Sequence, residues 1–139
     1  MGWLGYAALS AVLAGFVAIF GKIGVRGIDN TVATTVRAAI MFVFLFSVAA
    51  ARGSLADARS IDRRSLLFIA LSGLAGAGSW LCYFRALQLG DALRVAPIDR
   101  LSGGVTLVLA VLLLHERAPL GAWLGTALML VGAVIVARS

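Results

Sequence analysis

Five long apolar runs constrain this chain of 139 residues more than any other feature of its sequence. Crossing about 30 Å of hydrocarbon at about 1.5 Å per residue takes about 20 residues of helix. Runs of that length cover approximately residues 3–20, 31–50, 65–88, 92–114 and 119–137. They are too long and too continuous for the alternation of strands. The sequence therefore predicts an all-α bundle of five transmembrane helices, forming a single domain over residues 1–139.

The composition agrees with a protein dissolved in lipid. Hydrophobic residues make up 62% of the chain and charged residues only 13%, whereas soluble domains carry about 25% charged residues. In water such a chain would expose large apolar patches. A lipid bilayer is the predicted partner. No basic segment precedes the first run, so we expect a retained span and not a cleavable signal peptide.

The net charge of +6 raises the possibility of nucleic-acid binding. Its distribution argues against that, because the cations do not form a clustered patch that could track phosphates. Four arginines fall in the polar connection between the second and third runs, namely Arg52, Arg59, Arg63 and Arg64. Most other cations lie singly at the ends of apolar runs. Such placement orients helices in a membrane. We predict no nucleic-acid partner.

The residue types that carry chemistry are scarce. Cys82 and His115 are the only cysteine and histidine, so neither a disulfide nor a metal site of the usual spacing is expected. No nucleophile with a base, no paired carboxylates and no phosphate-binding loop are recognisable. The sequence predicts a protein without catalytic residues, metal or cofactor, and hence not an enzyme.

Two segments in the second half of the chain carry a family resemblance. These are the block Trp80–Ala92 followed by Pro97, and the segment Leu112–Arg117 followed by Leu124-Gly125 and Gly132-Ala133, with Arg37 in the second run. In these residues the chain resembles the EamA branch of the drug/metabolite transporter superfamily. Members usually have ten spans in two five-span repeats, so the resemblance implies one repeat standing alone.

The chain also departs from the family pattern at two places. Gly103-Gly104 stands where many members have a proline in the middle of the fourth span; it could loosen the helix but does not force a kink. Residues 3–20 contain no acid, whereas small four-span relatives carry a membrane-embedded glutamate in their first span. That coupling chemistry is therefore not carried over.

Asp99 begins a stripe of polar and small residues on the fourth run. Ser102, Gly103 and Thr106 follow at helical spacing and would share one face. An acid inside the bilayer costs about 2.5–3.5 kcal/mol on insertion scales and so indicates a functional pathway. Alternatively the helix begins at Pro97, which leaves Asp99 in a first turn where the dipole favours an acid. The first interpretation predicts Asp99, Ser102 and Thr106 as substrate-binding residues.

Arg37 is a cation well inside the second run. Three roles are open for it: pairing with Asp99, binding an anionic part of a substrate, or extending its long side chain to the interface. We predict that it faces the bundle interior and belongs to the substrate site. If it pairs with Asp99, each residue depends on the other.

Trp80, Tyr83 and Phe84 form an aromatic cluster on the third run. Trp80 lies too deep for an interfacial aromatic belt. The cluster either borders a substrate cavity or packs against neighbouring helices. The cavity interpretation adds Trp80 and Tyr83 to the predicted substrate-binding residues.

Three glycines share one face of the fifth run. Gly121 and Gly125 form a GxxxG pair, and Gly132 returns to the same face two turns later. Small residues of this spacing allow close helix contact, either within the chain or between two chains. We predict that Gly121, Gly125 and Gly132 lie at a homodimer interface.

These features predict a small secondary transporter of the inner (plasma) membrane that moves a small metabolite or organic solute. Natural transporters of this kind combine two inverted repeats. A single five-span unit recovers that geometry if two copies insert in opposite orientations, so we predict an antiparallel homodimer. The alternative is a membrane protein that transports nothing itself, such as a subunit of a lipid-linked-sugar flippase or an assembly partner.

Overall fold

The computed structural model describes residues 2–139, apart from the side chain of Arg59. The helices are α1 (Trp3–Gly24), α2 (Asn30–Ala51), a short 3₁₀ helix (Ser54–Ser60), α3 (Arg63–Leu89), α4 (Ala92–Asp99), α5 (Ser102–Leu113) and α6 (Leu120–Arg138). The described residues contain no strand. With α4 and α5 taken as one span, five segments are long and apolar enough to cross a membrane. The predicted all-α, five-span class is confirmed.

The start and end of α2 follow from local chemistry. The carboxylate of Asp29 accepts the N–H groups of Thr31 at 2.9 Å and Val32 at 3.1 Å. It thereby satisfies two of the backbone donors that a helix start leaves unpaired. At the other end the chain turns at Gly53, whose φ is +71°. Glycine reaches this left-handed conformation without steric cost, and it commonly ends helices there.

A second acid caps α3. One carboxylate oxygen of Asp62 accepts the N–H of Ser65 at 3.0 Å. Hydrogen bonds from the Ser65 hydroxyl and then from its backbone N–H lower the pKa of Asp62 below its ordinary value. Both bonds favour the ionised carboxylate, which also suits the positive end of the helix dipole.

The fourth span, predicted over about residues 92–114, is interrupted within the candidate span Ala92–Leu113. α4 ends at Asp99, and α5 begins at Ser102. The interruption lies before Gly103-Gly104 and follows Pro97, which has no N–H to donate to the preceding turn. The N–H of Leu101 bonds to the carbonyl of Ile98 at 3.0 Å, a three-residue turn typical of a tightened helix end.

The helix start also decides between the two interpretations of Asp99. The alternative in which a helix begins at Pro97 is wrong, because α4 begins at Ala92. Asp99 is therefore the last residue of α4 and not part of a first turn.

The described residues fall into two compact units. The terminal unit comprises the residues up to Lys22 together with Ala86–Ser139. In it α6 packs against α4 and α5. Gly104 on α5 makes the close approach possible, since a Cβ there would lie 3.3 Å from a methyl carbon of Leu130. Leu87 has no exposed surface.

Lys22 joins two elements of the terminal unit. Its ammonium donates to the carbonyls of Leu87 and Gly90, each at 2.6 Å. These carbonyls lie at the C-terminal end of α3, where the orphan acceptors and the helix dipole both favour a cation. Lys22 thus anchors the end of α1 to the end of α3, a role that the sequence interpretation missed.

The central unit comprises Ile23–Arg85. Val25, Tyr83 and Phe84 are its buried apolar residues. Most other apolar side chains of both units are exposed, for example Phe42 at 67% and Leu74 at 72%. Such surfaces are compatible with lipid or with a second protein, and not with water.

Candidate functional site

The central unit stacks a cation on an aromatic ring. The guanidinium carbon of Arg37 on α2 lies 3.3 Å from the centre of the Trp80 ring on α3 and 6.0 Å from that of Phe84. This is cation–π geometry, which stabilises a charge by about 0.5–2 kcal/mol, depending on its desolvation. The contact places the half-buried Arg37 on the α3-facing side of α2.

The aromatic cluster holds Trp80 in place. Its ring makes edge contacts with Tyr83 and Phe84, both with 5.5 Å between ring centres. Tyr83 and Phe84 are buried, whereas Trp80 is half-buried. Edge-to-face packing of this kind restricts the orientation of the Trp80 ring. The cluster therefore provides a fixed platform for the guanidinium.

Arg37 has no acidic counterpart in the central unit. Neither α2 nor α3 contains an acid, and the carboxylates of Asp29 and Asp62 are engaged as helix caps. The third acid of the unit, Asp57, lies in the 3₁₀ helix that follows α2. Among the described residues of this unit, no hydrogen bond or ion pair of Arg37 is present. Within this unit the N–H donors of the guanidinium therefore stay available to an acceptor.

Asn30 is a further polar residue between α2 and α3. The sequence interpretation treated it only as a helix-entry residue. Its amide N–H donates to the carbonyl of Leu81 at 3.0 Å, while its Oδ1 is buried without a hydrogen-bond partner. Asn30, Thr34 and Arg37 are spaced by four and three residues and so share one face of α2. The sequence could have predicted a polar face of α2 from that spacing.

The predicted polar stripe lies on the terminal unit. Asp99 is half-buried at the end of α4, where the helix dipole disfavours an acid. Ser102 and Thr106 are exposed, and the Thr106 hydroxyl donates to the Ser102 carbonyl at 2.9 Å. No hydrogen bond or ion pair of Asp99 occurs among the described residues of this unit.

The structure thus brings Arg37, Trp80 and Tyr83 together in the central unit and leaves Asp99, Ser102 and Thr106 in the terminal unit. The predicted pairing of Arg37 with Asp99 would join one residue of each unit and stays a prediction. The described residues include no group of three or more His, Cys, Asp or Glu side chains that could hold a metal ion.

Comparison with known proteins adds the family to this geometry. Residues 1–138 match the EamA-like transporter family. The chain belongs to that family. It is also 44% identical over 135 residues to a Sinorhizobium sp. protein named "Uncharacterized transporter in cobO 3'region", a match that covers 97% of this chain and 96% of the relative. No solved structure matches this chain.

Family and spans together establish a multi-pass membrane protein of a transporter family. In this EamA-like protein an apolar groove of about 540 Å³ lies on the terminal unit between α1 and α4. It is lined by Val12, Gly15, Phe16, Ala18, Ile19, Ala92, Leu93 and Ala96. None of the predicted substrate-binding residues lines it. The groove offers van der Waals contact but no polar side chain to select a polar solute.

The three glycines predicted at a dimer interface lie on an open face of α6. A Cβ added at Gly121, Gly125 or Gly132 would meet no described atom within 4 Å. The side chains that contact the rest of the terminal unit lie on another face, where Thr126 and Leu130 approach Gly104 and Ala133 is buried. The glycine face of this EamA-like protein is therefore not used for packing within its unit.

Proposed function

We propose that the protein is a small secondary transporter of the inner membrane, moving a small metabolite or organic solute without catalysing a reaction. The observation that carries the proposal is the Arg37 guanidinium stacked on Trp80 within the spans. A cation in a span costs about 2.5–3.5 kcal/mol on insertion scales, so it requires a compensating role. Because the protein belongs to the EamA-like transporter family, we propose that this role is in solute transport.

We propose solute-contacting residues in each unit separately. Arg37, Trp80 and Tyr83 are the proposed contacts of the central unit. Asp99, Ser102 and Thr106 are those of the terminal unit, next to the interruption between α4 and α5. Interrupted membrane helices are where transporters commonly bind substrates and ions, because backbone groups at the break become available.

We further propose an antiparallel homodimer as the transporting unit. Alternating access usually requires two repeats of opposite orientation, and the residues that the structure describes contain one set of five candidate spans. The open face carrying Gly121, Gly125 and Gly132 supports contact with a second copy, since small residues let helix backbones approach closely.

Reconstitution tests transport directly. The purified protein is placed in liposomes, and the uptake of radiolabelled organic anions, cations and neutral solutes is measured against protein-free liposomes. Solute-dependent uptake above that control supports a transporter. Absence of uptake for the whole panel by a folded protein would favour the alternative, a non-transporting partner in a larger membrane assembly.

Dimer formation is tested separately. A Gly125→Leu variant places a bulky side chain on the glycine face and should leave the protein monomeric in lipid nanodiscs, as counted by single-molecule photobleaching. Ala127→Leu adds the same side chain at an exposed position of α6 outside that face and should remain dimeric. Equal dimer fractions in both variants would remove the glycine face from the proposal.

A further inference from the structure

The α-helices contain cations but almost no acids. Five of the six acids of the chain lie outside the α-helices: Asp29, Asp57, Asp62, Asp91 and Glu116. The sixth, Asp99, ends α4. Arg37 by contrast is seven residues beyond the first residue of α2, or about 10 Å along the axis at about 1.5 Å per residue. The middle of α2 and the neighbouring α3 therefore carry positive charge without an acid.

We propose that the transported solute is an organic anion whose anionic group is bound by the guanidinium of Arg37. This inference rests on the proposed transport function. The guanidinium carbon lies over the Trp80 ring, so α3 holds the position of the cation while its N–H groups remain available to an acceptor. A planar fork of donors matches the two oxygens of a carboxylate, or those of a sulfonate or phosphate, better than a point charge does.

The structure favours an anion over a cation on energetic grounds. A partly desolvated guanidinium would repel a cationic solute, and α2 and α3 offer it no carboxylate. An anionic solute instead gains charge-assisted hydrogen bonds and compensates the cost of placing Arg37 in the membrane.

A lipid phosphate offers the same chemistry as a soluble anion, because a long arginine side chain can reach the interface. The two sources differ in what Arg37 controls. If Arg37 binds the solute, its replacement changes the affinity for anions in a charge-dependent way. If it binds lipid, replacement changes the thermal stability in nanodiscs and leaves solute affinity unchanged.

The test uses probes that share an aromatic body and differ in permanent charge: benzenesulfonate, benzenesulfonamide and benzyltrimethylammonium. Their binding to the protein in nanodiscs, and the uptake of labelled probes and of the solute panel into liposomes, are measured for the wild type, Arg37→Gln and Arg37→Lys. Arg94→Gln is the matched control, since it removes an exposed arginine of α4.

We expect the wild type to bind and take up anions in preference to the other two charge classes. Arg37→Gln should weaken anion binding roughly 10- to 100-fold, because charge-assisted hydrogen bonds are lost. The anion affinity of Arg37→Lys should lie between those of the wild type and Arg37→Gln, since lysine keeps the charge but not the planar set of N–H donors. Arg94→Gln should bind as the wild type does.

Other outcomes separate this inference from the proposed function. Uptake restricted to neutral or cationic solutes would overturn the inference and leave a transporter. Unchanged anion affinity in folded Arg37→Gln, or in Arg37→Lys if the glutamine variant does not fold, would also overturn it. No uptake of any solute would overturn both.

Discussion

The guanidinium carbon of Arg37 lies 3.3 Å from the centre of the Trp80 ring, so the cation in the middle of α2 is held by α3. Through its ring edges Trp80 in turn contacts Tyr83 and Phe84. One contact thus connects two helices of the central unit, and it holds the cation that we propose to bind anions.

Trp80→Ala should weaken solute binding by more than it lowers thermal stability. The substitution removes the surface that orients Arg37, worth about 0.5–2 kcal/mol or roughly 2- to 30-fold in affinity. Trp80→Phe should retain part of the affinity because it keeps an aromatic face. Trp123→Ala removes a tryptophan that is 43% exposed on α6 and serves as the control. A large loss of melting temperature with unchanged affinity would assign Trp80 to packing.

Asp99→Asn and Arg37→Gln should each impair transport. For Asp99 the structure sharpens the expectation, because its acid lies at the unfavourable end of α4. If Asp99 is unpaired, Asp99→Asn should leave stability unchanged or raise it by about 0.3–1 kcal/mol. If it pairs with Arg37, the uncompensated guanidinium should lower stability. Uptake should fall in both cases. Combining both substitutions tests the predicted pairing: if the two residues depend on one another, the double variant should lose less than the sum of the single losses. Full uptake in both single variants would contradict the prediction.

Lys22→Met should lower the melting temperature in detergent. The substitution keeps the apolar stem but removes two hydrogen bonds to the carbonyls of Leu87 and Gly90. Hydrogen bonds of a charged donor contribute about 1.5–3 kcal/mol each. Arg26→Met removes an exposed cation from the turn after α1 and should have little effect. Equal melting temperatures for both variants would show that the anchor contributes nothing.

Asp62 should stabilise the protein in a pH-dependent way. Hydrogen bonds from the Ser65 hydroxyl and N–H lower the pKa of its carboxyl, so the stabilisation is present above the ordinary value of about 3.9 and is lost as the pH falls through the lowered folded-state pKa. The difference in melting temperature between wild type and Asp62→Ala should therefore persist at neutral pH and vanish in acid.

Asp91→Ala is the matched control for that titration. Asp91 precedes α4 as Asp62 precedes α3, but its side chain makes no capping hydrogen bond. Its removal should change the melting temperature less at neutral pH. A difference for Asp62→Ala that does not depend on pH would point to a cause other than the carboxylate.

The two orientations of an antiparallel dimer can be detected by labelling. In the predicted topology one side carries five cations and the other three, or five if Arg85 and Arg94 reach the interface. The first side has Arg52, Arg59, Arg63, Arg64 and Arg117, and the second has Lys22, Arg26 and Arg138. Neither side dominates under the positive-inside rule.

Ser60→Cys in a Cys82→Ser background is therefore expected to react from both sides of the membrane. Ser60 is exposed at the end of the 3₁₀ helix, and Cys82 is the only native thiol. A membrane-impermeant maleimide is applied to intact cells and to inverted vesicles. Modification from one side alone would exclude dual insertion and leave a parallel dimer or a monomer.

Sequence reasoning succeeded where a feature depends on neighbouring residues in the chain. The five spans follow from composition over the length of a helix, and the start of α2 at Asp29 follows from a local cap. It did not locate the interruption at Arg100 and Leu101, because the local pattern attributed flexibility to Gly103-Gly104.

The sequence by itself thus determined the membrane class, the number of spans and the residue types available to a site. Only the tertiary structure decided which of them meet: Arg37 with Trp80, Asn30 with the carbonyl of Leu81, and Lys22 with the end of α3. The last two contacts join residues 51 and 65 positions apart. Helices that are apolar on nearly every face carry little information about which face packs, so such pairings are fixed by packing and not by local pattern.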